Sequence, residues 1–327
     1  MRRRDLLSLA AGMAAFPLLP ARAQQKKLPV VGYLSNGSAK ADASLLTGLL
    51  KGLEQQGFVV GQNVAIEWRF AEGNNERVPS LAAELIGLPS AVLVAYGLPA
   101  AVPAKKATAT IPIVFALGFD PVQLGLVASF NRPGGNATGV HMFQAQTISK
   151  RLELLREILP RPGLIAYLLP GRRTSAAPVE LHQVETSAQA VGQPILVLQG
   201  HDEGEIDEAF ATMAERQVSG VLCGASTYFQ VIADKLVALA ARYRIPASYE
   251  WREFVVAGGL MTYSASRREA MRLTGDYAGR ILKGAAPAVL PVIQSTRFEL
   301  VINMKTAKAL GLTVPPALLA RADEIIE

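Results

Sequence analysis

The 327-residue chain has one cysteine and three histidines. A single Cys223 cannot form an internal disulfide, and in an oxidising compartment a lone thiol belongs in the interior. His141, His182 and His201 lie too far apart in sequence for metal-ligand spacing. Aromatic residues make up 6% of the chain and charged residues 18%, and no Lys/Arg cluster marks a nucleic-acid partner. After residue 23 no apolar run approaches the roughly 20 residues needed to span a bilayer. There is no P-loop, no Gly-x-Gly-x-x-Gly opening a helix after the first strand, and no Gly-x-Ser-x-Gly elbow. No cofactor, no metal and no catalytic residue is therefore expected.

What is present begins with a leader. Arg2, Arg3 and Arg4 precede an apolar run from Leu6 to Leu19, and Ala21-Arg22-Ala23 has the small-x-small form of a cleavage site. Arg3-Arg4-Asp5-Leu6-Leu7 fits a twin-arginine export signal, with Arg2 where Ser or Thr is usual. The run is too short to span a membrane and contains Pro17. Residues 1–23 are read as a removed signal peptide, with the mature chain starting near Gln24 in a bacterial periplasm. No Cys near the cut offers a lipid anchor. The leader carries four Arg and one Asp, so about half of the net charge of +6 leaves with it.

From Leu28 onward, short apolar strands alternate with amphipathic helices. Pro29–Leu34, Val64–Arg69, Ala91–Ala95 and Ile111–Ala116 read as strands. Leu45, Leu46, Leu49, Leu50 and Leu53 mark one helix face, and Val78, Leu81, Leu85 and Ile86 another. The rhythm restarts after residue 145, with strands at Leu164–Leu169, Ile195–Leu198, Gly220–Cys223 and Pro246–Tyr249. Helices are expected at Ser149–Leu159, Val179–Val191, Ile206–Arg216 and Phe229–Arg242. This spacing predicts right-handed crossovers and parallel sheets in two similar α/β halves. A strand Leu260–Tyr263, a helix Arg267–Lys283 and a strand Phe298–Asn303 come last.

In open parallel sheets, ligands gather at the strand C-terminal ends. The first half offers Ser35-Asn36-Gly37, Tyr96-Gly97-Leu98-Pro99 and Gly118-Phe119-Asp120-Pro121. Small residues there let backbone N–H groups approach a carboxylate. Asp120 can bind an ammonium, cap a helix over Val122–Ser129, or do both. The second half offers Pro170-Gly171-Arg172, Gly224-Ala225-Ser226 and Tyr249-Glu250-Trp251. Tyr249 and Trp251 either stack on a ligand ring or pack between the halves. The acidic run Asp202-Glu203, Glu205 and Asp207-Glu208 reads as a helix N-terminus facing solvent.

Several segments resemble one family. They are Asn63–Glu67 (Asn-Val-Ala-Ile-Glu), Ala71-Glu72-Gly73, Phe130–Asn136 (Phe-Asn-Arg-Pro-Gly-Gly-Asn) with Thr138-Gly139, Phe298–Asn303 (Phe-Glu-Leu-Val-Ile-Asn), Lys305–Gly311 and Ala320–Glu324. Over essentially the whole mature chain it looks like the solute-binding proteins of ABC importers, whose better-understood members carry aromatic amino acids such as tryptophan. The resemblance implies an α/β, type I periplasmic binding protein fold, with two Rossmann-like lobes of parallel-core sheets joined by a three-segment hinge. The lobes would be 28–142 plus 264–290 and 146–262 plus 296–327, with the hinge near 143–146, 263–266 and 290–296. It aligns Ser35 and Gly37 with the family's first ligand loop, Asp120 with its Asp-Pro turn and Tyr249–Glu253 with a cleft-facing stretch. Tyr263, at the return crossing, joins the expected ligand-binding set. Where the family commonly has Thr-Gly-Thr/Ser-Pro, this chain has Tyr96-Gly97-Leu98-Pro99, which removes both hydroxyls.

The expected function is capture of a small carboxylate-bearing solute, an amino acid or an aromatic acid, by hinge closure. A monomer would deliver it to ABC permease and ATPase subunits at the inner membrane, with no chemical turnover. A ligand-sensing subunit for a receptor kinase would use the same cleft. So would an exported α/β enzyme with Asp120 and Glu250 as acid and base.

Overall fold

The computed structural model of the chain describes residues 28–161, 163–171 and 177–327, and only the backbone of 144–146. The leader and Arg172 lie outside the described residues.

The first half runs β1 (Val30–Ser35), α1 (Ala43–Gln55), β2 (Ala65–Phe70), α2 (Val78–Gly87), β3 (Ser90–Tyr96), α3 (Leu98–Ala107), β4 (Ile113–Leu117) and β5 (Ala137–His141). The second runs α4 (Gln144–Ile158), β6 (Ile165–Leu169), α5 (Ala177–Ala190), β7 (Ile195–Gln199), α6 (Glu203–Glu215), β8 (Gly220–Cys223), α7 (Thr227–Val231), α8 (Ala233–Arg242), β9 (Ala247–Tyr249), α9 (Arg252–Val256) and β10 (Met261–Ala265). The chain closes with α10 (Arg267–Leu282), β11 (Ile293–Gln294), β12 (Phe298–Asn303), α11 (Met304–Ala309), α12 (Pro316–Leu319) and β13 (Glu324–Ile326).

These strands form two sheets, ordered β11-β5-β4-β3-β1-β2 and β13-β12-β10-β9-β8-β6-β7. All pairings are parallel except β10 with β12. Each sheet has an apolar cluster on both faces, the arrangement of a doubly wound α/β lobe.

The chain after β10 shuttles between the lobes. After β10, helix α10 packs on α1 of the first lobe. Next, β11 pairs with β5 in the first sheet through Ile293 with Val140 and Gln294 with His141. The chain then returns to the second sheet as β12.

The α1–α10 contact explains two glycines. A Cβ on Gly52 would sit 2.0 Å from the Arg272 carbonyl oxygen, and one on Gly275 would sit 2.2 Å from that of Leu49. The helices therefore touch backbone to backbone. The buried stripe of α1 is Leu45, Gly48, Leu49, Gly52 and Leu53, while Leu50 stays exposed.

Three expectations change. Residues 122–129 form turns rather than a helix, because Gly125 takes φ +67° and Leu126 N–H bonds the Pro121 carbonyl. The helix expected over Phe229–Arg242 is two helices meeting at Ile232. Strand β5, with its low apolar content and Gly139, was not anticipated. That glycine lets β5 lie against β4, since a Cβ there would meet the Phe115 carbonyl oxygen at 2.0 Å. The neighbouring Asn136 amide donates to the Thr108 and Ile111 carbonyls, at 3.0 and 2.9 Å, which accounts for the last residue of the Asn-Arg-Pro-Gly-Gly-Asn turn.

Candidate functional site

A cavity of 340 Å³ lies between the carboxyl ends of the two sheets. The first lobe lines it with Asn36 after β1, Gly73–Glu76 after β2, Tyr96 at the end of β3 with Gly97–Pro99 beyond it, and Gly118-Phe119 after β4. The second contributes Pro170 after β6, His201-Asp202 after β7, Ala225–Tyr228 after β8 and Trp251 after β9; Glu180 projects from α5 and Met142 sits at the first crossing. A volume of this size, mixing aromatic walls with a few polar groups, suits a small organic ligand.

The polar groups are held by the fold. Asn36 Nδ2 donates to Asn75 Oδ1 at 2.7 Å and, across the cleft, to Thr227 Oγ1 at 3.1 Å. The β2 loop is strapped to the β1 loop: Ala71, Glu72 and Gly73 N–H groups donate to the Ser35, Gly37 and Asn36 carbonyls. This brings Asn74, Asn75 and Glu76 over the cavity. Ser226 caps α7, its Oγ accepting from Tyr228 and Phe229 N–H. Asp202 caps α6 by accepting from Glu205 N–H at 2.9 Å, yet it also lines the cavity.

Glu180 is buried beneath the floor. Its Oε1 accepts from Tyr167 Oη at 2.5 Å and from Ala225 N–H at 2.9 Å. Burial pushes its carboxyl above the ordinary range, opposed by those two donors and by Arg151. The described lining residues include the acids Glu76, Glu180 and Asp202 and no Lys or Arg. Leu98 N–H, at the start of α3, has no hydrogen-bond partner among the described residues, whereas Gly97 N–H is taken by the Ala116 carbonyl. The Ser226 and Thr227 hydroxyls retain donor capacity. Four aromatic side chains, Tyr96, Phe119, Tyr228 and Trp251, complete the wall.

Of the residues singled out in the sequence, Asn36, Tyr96, Gly97, Leu98, Phe119, Ala225, Ser226 and Trp251 line the cavity. The others do not. Ser35 turns inward, its Oγ accepting from Gly37 N–H at 2.9 Å, and Gly37 packs against Asp42. Gly171 backs the His201 wall, where an added Cβ would lie 3.1 Å from Nδ1. Tyr249 stacks on Phe254 at 5.0 Å in the second-lobe core and is not among the cavity-lining residues. Glu250 forms a buried ion pair with Arg151. Tyr263 stacks on Phe298 at 5.8 Å, and Phe298 meets Phe143 at a tilt with centroids 6.4 Å apart, so rings from all three crossings meet. Cys223 is buried, and burial pushes its thiol up to about 12, leaving no reactive thiolate.

Asp120 is directed elsewhere. Its Oδ1 accepts from Val122 and Gln123 N–H, at 2.8 and 3.3 Å, capping the turn. Asp120→Ala is therefore expected to leave ligand affinity within about twofold of the parent. It should cost about 1 kcal/mol of stability, the usual loss for a cap. Isothermal titration and thermal unfolding check the two halves of this expectation.

Comparison with known proteins agrees with the architecture. A solved structure of a conserved domain protein from Vibrio cholerae is 27% identical, with a TM-score of 0.84, covering 91% of this chain and 100% of that one. The ABC domain from Streptococcus pneumoniae in complex with L-Trp is 24% identical, with a TM-score of 0.82 over 91% of this chain and 100% of its own. A tyrosine-binding protein from Clostridioides difficile (strain R20291) is 24% identical over 273 residues, 81% of this chain and 76% of the relative. The family described as ABC transporter substrate binding protein matches residues 15–326. With two doubly wound lobes, a ligand-sized cavity between their strand ends and a match over nearly its whole length, the chain belongs to the ABC transporter substrate-binding protein family.

Proposed function

We propose that this protein captures an aromatic amino acid outside the cytoplasmic membrane and hands it to the permease and ATPase of an ABC importer, without chemical turnover. The observation that carries the reading is the composition of the cavity wall: four aromatic side chains, three acids and no described Lys or Arg. The aromatic walls suit a ring. The acids suit an ammonium, whose charge would act against the upward push of burial on the Glu180 carboxyl. Neutral donors remain for the carboxylate: Leu98 N–H and the Ser226 and Thr227 hydroxyls. The printed ligands of two relatives, tyrosine and L-Trp, support the same class.

In this reading the lobes are 28–142 with 267–294, and 144–265 with 298–327. The short crossings near 143, 266 and 295–297 act as the hinge. The protein works as a monomer. The leader-like first 23 residues support export, by the twin-arginine route, to the periplasm. Among the described residues no helix is long and apolar enough to cross a membrane.

Isothermal titration with L-tryptophan, L-tyrosine and L-phenylalanine, each beside its deaminated acid and its decarboxylated amine, tests the reading. At least one amino acid is expected to bind. Loss of the amine should weaken it about thirtyfold or more, since a buried carboxylate then loses its charged partner. Loss of the carboxylate, which meets only neutral donors, should weaken it less. Absence of binding by all three amino acids would overturn the proposal.

A further inference from the structure

Arg267 opens α10 at the crossing between the lobes and is only 5% exposed. It does not line the cavity, yet it is stacked behind two residues that do. Its guanidinium lies 4.1 Å from the Trp251 ring centroid and 5.2 Å from that of Tyr96. Nε donates to Tyr96 Oη at 2.6 Å, Nη2 to Gln230 Oε1 at 2.7 Å and Nη1 to Glu253 Oε2 at 3.2 Å. Tyr96 belongs to the first lobe, and Trp251, Gln230 and Glu253 to the second.

The two polar partners reach back across the cleft. Gln230 Nε2 donates to the Ala41 carbonyl, and Glu253 Oε1 accepts from Ser44 Oγ at 2.8 Å. Burial alone would raise the Glu253 carboxyl, but the Arg267 charge and the Ser44 hydroxyl bring it below its usual range. Here one cation, anchored on Tyr96 of its own lobe, organises contacts to Gln230, Glu253 and Trp251 that all require the lobes to be together. Separating the lobes would strip it of the Gln230, Glu253 and Trp251 contacts at once.

We propose that Arg267 is the positioning residue that couples solute binding to lobe closure, reading the occupied cavity through the backs of Tyr96 and Trp251 and locking the second lobe through Gln230 and Glu253. A solute packed on the cavity side of those rings fixes the surfaces that hold the guanidinium. A held guanidinium keeps the cleft shut. The effect belongs in the dissociation rate, because buried charged contacts made after encounter govern escape more than arrival. Lysine cannot replace it, since an ammonium lacks the planar face and the three-way fork used here.

This inference rests on the aromatic amino acid reading, so the test uses whichever of L-tryptophan, L-tyrosine and L-phenylalanine binds most tightly in the titration above. Arg267→Met and Arg267→Lys are compared with the parent by stopped-flow kinetics and by small-angle X-ray scattering with and without that amino acid. The dissociation rate should rise about thirtyfold in both variants with little change in association. The contraction of the radius of gyration on ligand addition should shrink. Glu253→Gln and Gln230→Ala, which leave Arg267 in place, should show the same change in smaller measure and keep the test decisive if the Arg267 variants do not fold. Parent-like dissociation with full contraction would overturn the coupling while leaving the binding function standing. So would a loss confined to the association rate.

Discussion

Replacing Arg151 by methionine is expected to destabilise the protein by about 3–5 kcal/mol, the usual result of removing one member of a buried ion pair. Arg151 and Glu250 side chains are 1% and 2% exposed. The guanidinium, on α4, donates to Glu250 and, from Nη2, to the Cys223 and Ser248 carbonyls at 2.7 Å each. It thereby ties together the ends of β8 and β9 where they deliver Ala225, Ser226 and Trp251 to the cavity. The loss should lower the melting temperature by roughly ten degrees.

The pH dependence carries a definite sign. Burial raises the Glu250 carboxyl from 4.5 to about 7, although Arg151 pulls the other way. A raised acid contributes stability that is complete below its unfolded value and is lost as pH climbs through about 7. Without Arg151 the carboxyl keeps, as counter-charge, only the weaker pull of Arg267 and remains protonated to higher pH. The deficit of Arg151→Met should therefore be larger at pH 8 than at pH 5 in paired thermal melts. Arg151→Met with Glu250→Leu should recover most of the loss, because no unpaired charge is left behind. A deficit independent of pH would show that the carboxylate is not the group left stranded.

Trp251→Ala is expected to weaken solute binding about a hundredfold or more, as removal of a central aromatic anchor does. The indole is 3% exposed, lines the cavity, stacks on Phe254 at 6.3 Å and carries the Arg267 guanidinium on one face. Truncation removes the wall and leaves the guanidinium without that surface. The solute-free protein should also lose about 3–5 kcal/mol from the vacated volume. Trp251→Phe, which keeps a ring, should fall between the parent and Ala. Titration with the aromatic amino acids measures the first effect and denaturant unfolding the second. Affinity within about twofold of the parent would remove Trp251 from the site.

The legible part of the site follows a rule about parallel sheets. Residues at and immediately past a strand's carboxyl end face the ligand side, which identified Asn36, Tyr96–Leu98, Phe119, Ala225-Ser226 and Trp251. The same rule misled at Tyr249. Tyr249 is fully buried, and its ring is taken up by stacking on Phe254 rather than offered to the cavity. Asp120 follows β4 as expected, but a short acid beside two free turn N–H groups bonds to them rather than reaching outward.

The residues missed have a common cause. Asn74, Asn75 and Glu76 follow Ala71-Glu72-Gly73, a segment noted only as a family signature. Nothing local indicates that its backbone straps onto the β1 loop. Asp202 reads as an ordinary helix start, and it is one; its place in the cavity wall, beside His201, comes from β7 lying next to β6. Glu180 sits in a helix, where a polar residue normally faces solvent, and only the packing of α5 against β6 buries it against Tyr167.

Hydrophobic spacing was enough to determine two α/β units with parallel strands, because burying one stripe of a helix on one face of a sheet is a local demand met within about 30 residues. It was also enough to indicate which loop ends could meet a ligand. Which of those loops converge, which carboxylates lose their water and how one arginine comes to bridge two lobes depend on contacts between residues up to about 200 positions apart, such as Asn36 with Thr227 and Tyr96 with Arg267. Only the three-dimensional packing sets those distances, since no short-range pattern records what lies across a cleft.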